Sequence, residues 1–150
     1  MNNNFNMLVN FRQIIKFFEF SLQDIRKKYN LTKIEMDIIS FLYNNPGYDT
    51  ASDIVELRML QKGNVSQAVD LLIKKELLVK KTDSLDKRKV HLILTEKSAN
   101  ITEEISNAKL KFKQEIFKGF TTEELNTFNY LNNKIVNNIK TELGKDEQNE

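Results

Sequence analysis

Glycine and proline are scarce in this chain, which contains four glycines and one proline among 150 residues. Loop-rich and all-β folds need more of both, because glycine supplies positive φ values at tight turns and proline presets the first position of a turn. The sequence therefore favours a mainly helical architecture.

The inventory of catalytic residues is equally narrow. The chain has no cysteine and a single histidine, His91, which excludes disulfides, thiolate metal sites, cysteine nucleophiles and a metal site built from several histidines. Glu35, Asp37 and Asp53 stand where helix capping or solvated helix faces already explain them, and no motif places a nucleophile beside a base. We expect no enzyme, no cofactor and no metal site.

The N-terminal sequence MNNNFNM has neither the basic start nor the apolar stretch of a signal peptide. Apolar runs elsewhere are short and are interrupted by charged or amide residues. We expect a cytoplasmic protein that does not associate with a membrane.

Residues 5–29 predict a long amphipathic helix. Its main apolar positions recur at alternating intervals of three and four residues, as in a heptad stripe. The stripe consists of Leu8, Phe11, Ile15, Phe18, Leu22, Ile25 and Tyr29. Because further apolar residues lie outside the stripe, the helix must be covered on more than one side. It either forms the centre of a small bundle or packs against its own domain on one face and another chain on the other.

Capping motifs mark the next two helices. Thr32 and Glu35 have the spacing of a capping box, and the helix that they begin ends at residues 44–47, Asn-Asn-Pro-Gly. Thr50 with Asp53 marks the start of a second, short helix.

Residues 61–64, Gln-Lys-Gly-Asn, predict a tight break, and a helical pattern resumes from Val65 to about Lys75. Two short helices joined by a small glycine-containing turn match the helix-turn-helix unit, whose second helix enters the major groove of DNA. Any small helical bundle can produce the same pattern, so DNA binding does not follow from it alone.

A β-hairpin is predicted directly after this helix. Residues 77–82 and 89–95 are strand candidates, with apolar residues of the second alternating onto one face. Between them lies the polar segment 83–88, which we call the wing tip and whose C-terminal end, Lys87 and Arg88, is basic. A hairpin with a basic tip after a candidate recognition helix is the layout of a winged helix-turn-helix, in which the tip can reach the minor groove.

Two amphipathic helices complete the chain. After Thr95, a candidate N-cap, helical spacing continues to a break at Gly119. Thr121 and Glu124 repeat the capping-box spacing and begin a last helix, followed by a polar, flexible tail over residues 144–150. The predicted fold class is mainly α with a small β-hairpin wing (α+β), a winged helix-turn-helix flanked by N- and C-terminal helices.

Charge is unevenly distributed along the chain. The net charge is +2, but residues 58–95 carry nine basic and four acidic side chains, whereas residues 1–57 sum to −1 and residues 96–150 to −2. A basic block between neutral or acidic segments suggests a local surface for a polyanion. A solvated lysine-rich face explains the charge alone equally well.

With these elements the sequence resembles the MarR family of bacterial transcription regulators, including the staphylococcal accessory regulators, from about residue 5 to residue 143. The resemblance is carried by Leu-Thr-Lys-Ile-Glu at 31–35, by Asn-Val-Ser-Gln-Ala-Val-Asp-Leu-Leu at 64–72 and by the wing sequence at 86–95. The positions that match the family's Asp-x-Arg and Leu-Thr pattern are Asp86, Arg88, Leu94 and Thr95.

The resemblance implies a sequence-specific DNA-binding transcriptional regulator, a dimeric repressor that binds a pseudo-palindromic, AT-rich operator. It implies a winged domain over residues 30–95 and a helical dimerisation region formed by residues 1–29 and 96–143. The residue pattern favours a homodimer independently, because the outer helices carry more apolar surface than a domain of about 65 residues can bury. An intramolecular bundle of these helices is the alternative. The expected dimerisation residues are Leu8, Phe11, Ile15, Phe18, Phe112, Leu125, Phe128, Ile135 and Ile139.

Contacts to double-stranded DNA are expected from the recognition helix, because amide and amino groups at its N-terminal turns can pair with base edges and phosphates. These residues are Gln61, Lys62, Asn64, Ser66 and Gln67. Capping or simple exposure also explains Ser66 and Gln67. In the preceding helix Thr50 and Ser52 are candidate phosphate contacts, although N-capping explains Thr50 as well.

The wing tip is expected to enter a narrow, AT-rich minor groove with Arg88, because the negative potential there attracts a guanidinium. Asp86 would orient this arginine through a charge-assisted hydrogen bond, and Lys87 and Lys89 would contact phosphates. An ordinary surface ion pair is the alternative interpretation of Asp86 and Arg88.

Two positions depart from the family pattern. Glu76 stands where the family has glycine after the recognition helix, and Ser98 stands where it has glycine after Leu-Thr. Because a non-glycine residue resists the left-handed conformation, the sequence leaves open whether the turn between the recognition helix and the wing keeps the family's geometry.

Two further expectations concern partners. A winged-helix protein–protein adaptor is the alternative to a DNA-binding regulator, since the fold alone does not imply DNA binding; the basic wing tip favours DNA. The resemblance also includes a small-molecule effector of unknown identity. Aromatic residues that could line its pocket, although we favour ordinary core for them, are Phe17, Phe18, Phe41, Tyr43 and Phe112.

Overall fold

The computed structural model describes the backbone of residues 3–146 and the side chains of residues 6–144. Seven α-helices and one two-stranded antiparallel sheet are present in this part of the chain. In chain order the elements are α1 (Asn3–Ser21), α2 (Gln23–Tyr29), α3 (Lys33–Asn44), α4 (Ala51–Arg58), α5 (Lys62–Lys74), β1 (Leu78–Thr82), β2 (Val90–Leu94), a 3₁₀ turn (Glu96–Ser98), α6 (Ala99–Ile116) and α7 (Thr122–Asp146). The predicted mainly helical fold with a β-hairpin wing is confirmed. No helix among the described residues is long and apolar enough to cross a membrane.

The long N-terminal helix predicted over residues 5–29 is interrupted at Leu22 and forms α1 and α2 instead. The Ser21 hydroxyl donates to the Phe18 carbonyl at 2.6 Å. A side-chain bond of this kind competes with the backbone ladder and bends helices, which gives a physical reason for the break.

The capping boxes are present as predicted. At Thr32 and again at Thr50 the side chain accepts from the backbone N–H three residues on, and the acidic residue there accepts from the N–H of the cap. Thr121 and Glu124 make the same reciprocal pair at the start of α7. Thr95 does not cap α6: its hydroxyl donates to the carbonyl of Glu76 at 2.7 Å.

The break between α4 and α5 lies earlier than the sequence predicts. Met59 takes the left-handed conformation at φ 53°, and Gln61 is the extended N-cap of α5, so Gly63 and Asn64 lie inside the helix. The prediction relied on Gly63 as a turn residue. Met59 adopts the left-handed conformation instead, which is uncommon for a non-glycine residue and could not be predicted from the local sequence.

Glu76 keeps the left-handed conformation that the family's glycine would take, with φ at 60°. The N–H of Glu76 donates to the Ile73 carbonyl and the N–H of Leu77 to the Leu72 carbonyl, which is the hydrogen-bond pattern of a Schellman motif. A non-glycine residue therefore closes the helix at this position in the left-handed conformation. Ser98 is buried in the 3₁₀ turn without a positive φ, so its position does not need glycine.

The wing pairs β1 with β2 in a register that runs from Leu78 opposite Leu94 to Thr82 opposite Val90. Its apolar residues join one core with α3, α4, α5 and the start of α6. The largest fully buried apolar side chains of this core are Ile38, Ile39, Ile54, Leu72, Leu78 and Ile101. The loop after α3 is tied to the wing because the Leu92 N–H donates to the Asp49 carbonyl at 2.7 Å.

The chain forms two compact units, one that ends at Phe112 and one that begins at Lys113. This boundary lies within α6 because Ile101 and Ile105 of α6 belong to the core of the first unit. The winged domain expected from the sequence instead ends at residue 95. In the second unit α7 extends through Gly144 to Asp146. Residues 147–150 of the expected tail lie outside the described residues.

Candidate nucleic-acid interface

The recognition helix α5 separates a buried face from a polar one. Val65, Ala68, Val69 and Leu72 pack into the core. The five predicted contact residues all lie on the solvent side at the N-terminal end: Gln61, Lys62, Asn64, Ser66 and Gln67. The amide, hydroxyl and ammonium groups at this end of the helix are therefore exposed to solvent and do not pack into the core.

Thr50 and Ser52 lie at the start of α4. The Thr50 hydroxyl donates to Asp53 Oδ2 at 2.7 Å and accepts from the Asp53 N–H, so N-capping of α4 accounts for its geometry. These bonds, led by the Thr50 hydroxyl, hold the pKa of Asp53 below its usual value. Ser52 is exposed and makes no such cap.

The wing tip is held by two aspartates. Asp83 Oδ1 accepts from the N–H groups of Leu85 and Asp86, each at 2.8 Å. Asp86 Oδ1 accepts from the backbone N–H of Arg88 at 3.0 Å and from its Nε at 3.2 Å. The predicted pair of Asp86 and Arg88 is therefore in contact, and it leaves the Arg88 side chain 93% exposed.

The structure brings the wing and the two helices of the motif together around neighbouring concave surfaces. One shallow pocket of 360 Å³ is lined by Thr50, Ser52, Asp86, Arg88 and Lys89, among others. A groove of 570 Å³ between α4, α5 and the wing includes Ser52, Lys62, Ser66 and Lys80. The remaining predicted residues, Gln61, Asn64, Gln67 and Lys87, are exposed and line neither surface.

One histidine at the base of the wing was not among the predicted site residues. His91 Nδ1 lies 2.7 Å from Asp49 Oδ1, and His91 Nε2 lies 3.0 Å from Asp83 Oδ2. Hydrogen bonds to Asp83 and then to Asp49 raise the pKa of the imidazole. The sequence offered one signal, a lone histidine in a predicted strand, but nothing that paired it with Asp49.

A second concave site, which we call the Arg26 cavity, lies beside α1, α2, α3 and α6. It encloses 220 Å³ and its cationic lining residues are Arg26, Lys33, Arg58 and Lys109. The Nε atom of Arg26 is buried and has no hydrogen-bond partner among the described residues. Burial and, second, the nearby Arg58 lower the pKa of Lys109.

The five aromatic residues considered for an effector pocket do not form one lining. Phe18 lines the Arg26 cavity, and its ring, like that of Phe17, packs against Phe112. Phe41 belongs to the core, and Tyr43 is exposed. Ordinary core is therefore the outcome for Phe41 alone, since Phe17 and Tyr43 are exposed and Phe18 and Phe112 are half-buried.

The predicted dimerisation residues divide into two groups in the single chain. Phe18, Phe112 and Leu125 are half-buried. The other six are exposed: Leu8, Phe11, Ile15, Phe128, Ile135 and Ile139. Both α1 and α7 therefore carry apolar residues that the described part of one chain does not cover.

A helix-turn-helix with an exposed polar recognition helix, followed by a hairpin with an arginine at its tip, defines a winged helix-turn-helix protein. Residues 29–89 match the model of the MarR family. The HTH-type transcriptional regulator MgrA of Staphylococcus aureus is 26% identical over 83% of this chain and 81% of its own length.

Solved structures agree with this class. A MarR protein from Peptoclostridium difficile is 26% identical, with a TM-score of 0.75, over 96% of this chain and 92% of its own. The Staphylococcus aureus MepR–DNA complex has a TM-score of 0.79 at 18% identity, over 92% of this chain and 99% of its own, and shows the shared fold. This chain is a DNA-binding transcriptional regulator with a winged helix-turn-helix fold, and it is similar to proteins of the MarR family.

Proposed function

We propose that this protein is a homodimeric repressor that binds a pseudo-palindromic, AT-rich operator with α5 in the major groove and the wing tip in the adjacent minor groove. The observation that carries the proposal is one pocket that is lined both by Thr50, the N-cap of α4, with Ser52 of α4 and by Asp86, Arg88 and Lys89 of the wing. A DNA backbone seated there would be gripped from both sides. MepR, a protein of the same fold, is known in complex with DNA.

Base recognition is assigned to the exposed N-terminal turns of α5. Asn64 and Gln67 offer amides that can pair with adenine, and Lys62 can reach guanine or a phosphate. Ser52, beside this helix, is suited to a phosphate. Sequence preference then resides in α5, whereas the flanking contacts set position and affinity.

Arg88 is assigned to the minor groove. Asp86 fixes the orientation of the Arg88 guanidinium through a hydrogen bond. Because the guanidinium is exposed to solvent, it can enter a minor groove of enhanced negative potential. Lys87 and Lys89 flank it and supply phosphate contacts.

Dimer formation is assigned to the uncovered apolar residues of α1 and α7. Exposed aromatic and aliphatic side chains in such number mark an interaction surface. A symmetric dimer also accounts for a palindromic operator, because the two recognition helices then read half-sites about one helical turn apart, near 10 base pairs.

These roles describe a cytoplasmic protein that acts by binding and not by catalysis. MgrA, to which this chain is similar, is named as an HTH-type transcriptional regulator. A winged-helix adaptor for another protein would not need three successive cations, Lys87, Arg88 and Lys89, beside the helix-turn-helix with the arginine oriented by Asp86.

The test is footprinting of the purified protein on genomic DNA, followed by binding to the protected site with the variant Arg88→Ala. We expect one or more protected palindromic sites and a loss of affinity of about tenfold or more for the variant. Lys27→Ala, an exposed cation on α2, is the matched control and should bind as the parent does. Absence of any protected site, or equal binding by Arg88→Ala, would contradict the proposal.

The Arg26 cavity supports a second proposal, an anionic effector. Four cations and two carboxylates, Glu19 and Asp37, line it, and these carboxylates pair with Lys33 and Arg58. Arg26 and Lys109 remain as the cations without a carboxylate partner among the described residues, and the buried Nε of Arg26, which has no hydrogen-bond partner, favours an acceptor from outside the chain. Isothermal titration with small aromatic carboxylates should detect binding that Arg26→Met removes while Lys27→Met retains it. The site would be contradicted if none of these carboxylates binds the parent protein, or if Arg26→Met and Lys27→Met bind them equally well.

A further inference from the structure

His91 lies between two carboxylates from different parts of the chain. Asp49 belongs to the loop between α3 and α4, and Asp83 follows β1 at the start of the wing tip. The side chain of His91 is 21% exposed, and each ring nitrogen has one carboxylate oxygen within 3.0 Å. The histidine thus bridges the wing and the loop that leads into α4.

The chemistry of the three groups requires both ring nitrogens to donate. An ionised carboxylate only accepts hydrogen bonds, and a neutral imidazole carries a proton on one nitrogen alone. Asp83 stays ionised, because the N–H of Asp86, the His91 ring and the N–H of Leu85 hold its pKa far below the usual value. Both contacts are therefore satisfied only by the imidazolium form.

The two carboxylates connect His91 to the groups that are expected to contact DNA. Asp83 shares its other oxygen between the N–H groups of Leu85 and Asp86, and Asp86 in turn holds Arg88. On the opposite side Asp49 precedes Thr50, the N-cap of α4. His91 is thus two carboxylates away from the wing-tip arginine and one residue away from the start of α4.

We propose that His91 is a positioning residue for DNA binding, whose imidazolium fixes the wing tip relative to the N-terminus of α4. When the ring loses its proton, one of its two bonds is lost. The backbone bond from Leu92 to Asp49 still holds β2 to the α3–α4 loop, but the side-chain link between this loop and the wing tip is broken and operator affinity falls. This role rests on the proposed DNA contacts of the wing.

The charges around the ring set the direction of the pH dependence. Asp83 and Asp49 favour the imidazolium, whereas Lys89 opposes it, and Lys81 lies across from His91 on β1. The net effect raises the pKa above the ordinary value of about 6.5. For a raised pKa the bridge is complete below about pH 6.5 and is lost as the pH rises through the folded-state value. Operator affinity should therefore fall as the pH rises through this folded-state value.

The single histidine makes a direct measurement available. The imidazole Cε1–H signal of the full-length protein reports His91 alone, since the chain has no other histidine. We expect a titration midpoint above about 6.5 that decreases in both Asp49→Asn and Asp83→Asn. Backbone amide shifts of Leu85 and Arg88 should follow the same midpoint, which a histidine with a purely structural role elsewhere would not produce.

The functional test measures affinity for the footprinted operator across this titration at constant ionic strength. The parent protein should lose about tenfold in affinity, the value of one hydrogen bond to a charged group, whereas His91→Gln should bind weakly with no pH dependence over the same range. Lys81→Gln removes a neighbouring charge without touching the bridge and should keep the slope. Flat binding by the parent across the His91 midpoint would overturn the positioning role while DNA binding stands; absence of operator binding at every pH would instead contradict the proposed function.

Discussion

Lys75 joins the end of the recognition helix to the start of α3, because its ammonium donates to the carboxylate of Glu35 at 2.6 Å. The same ammonium donates to the carbonyl of Asn30 at the end of α2. Glu35 is fully buried, and its second oxygen accepts from the N–H of Thr32 in the capping box. Three helix ends therefore meet at one buried carboxylate, and the orientation of α5 depends on them.

Removal of the cation should expose the cost of this arrangement. Lys75→Met leaves the buried Glu35 carboxylate without its counterion. We expect the free energy of unfolding to decrease by about 2–3 kcal/mol, which is less than for a fully buried ion pair because Lys75 is partly exposed. Urea denaturation measures it. Lys74→Met, which removes an exposed lysine one position earlier, is the control and should change the stability little; equal effects of the two would show that the pair is unimportant.

The same carboxylate predicts a pH dependence. Burial raises the pKa of Glu35, but the bonds from Lys75 and Thr32 outweigh it and the pKa lies below its usual value. For a lowered pKa the stabilisation is present above about pH 4.5 and is lost as the pH falls through the folded-state value. The deficit of Glu35→Gln against the parent should therefore be largest near neutral pH and shrink below about pH 4, as urea midpoints will show. A deficit that grows in acid would contradict this.

Glu76 pays a conformational cost in the Schellman turn after α5, since a side chain disfavours φ near 60°. Glu76→Gly should remove that cost and raise the melting temperature by about 2–4 °C, measured by circular dichroism. The ion pair with Lys97 that it loses is exposed and contributes little. Glu76→Ala loses the same ion pair without gaining freedom and is the control; a melting temperature no higher for glycine than for alanine would contradict the strain.

The contrast between Thr32 and Met59 shows which features a sequence pattern can predict. Thr32 and Glu35 make a contact three residues apart with complementary groups, so the start of α3 was predicted correctly. Met59 and Glu76 adopt left-handed turns because the following leucines, Leu60 and Leu77, return to the core. Such a preference comes from tertiary packing that overrides the local residue type.

The candidate site divides in the same way. Asp86 and Arg88 are two residues apart and were predicted as a pair, whereas His91 and Asp49 are 42 residues apart in sequence. No short-range spacing connects these two. Their contact arises because the loop after α3 lies against β2, where the Asp49 carbonyl accepts from Leu92.

Lys87 distinguishes phosphate contact from base reading on the wing tip. It is exposed and lines neither of the concave surfaces, so we expect Lys87→Ala to weaken binding to operator and to unrelated DNA alike. The slope of log affinity against log salt concentration should decrease by about one unit, because one fewer counterion is released. Fluorescence anisotropy over a salt series measures both quantities. Loss confined to the operator sequence would indicate base reading instead, and Lys27→Ala should leave the slope unchanged.

Ile139 tests the dimer from the face of α7. Its side chain is half exposed in the single chain, and a carboxylate placed there would have to be desolvated in an apolar interface. We expect Ile139→Asp to raise the dissociation constant of the dimer at least about tenfold, seen as a shift toward monomer in sedimentation velocity at micromolar concentration. Asn133→Asp adds the same charge about 120° around α7 from Ile139, away from the apolar stripe, and should remain dimeric. Operator affinity should fall with Ile139→Asp and recover at high protein concentration, because the winged domain itself is untouched; a parent protein that sediments as a monomer would contradict the dimer altogether.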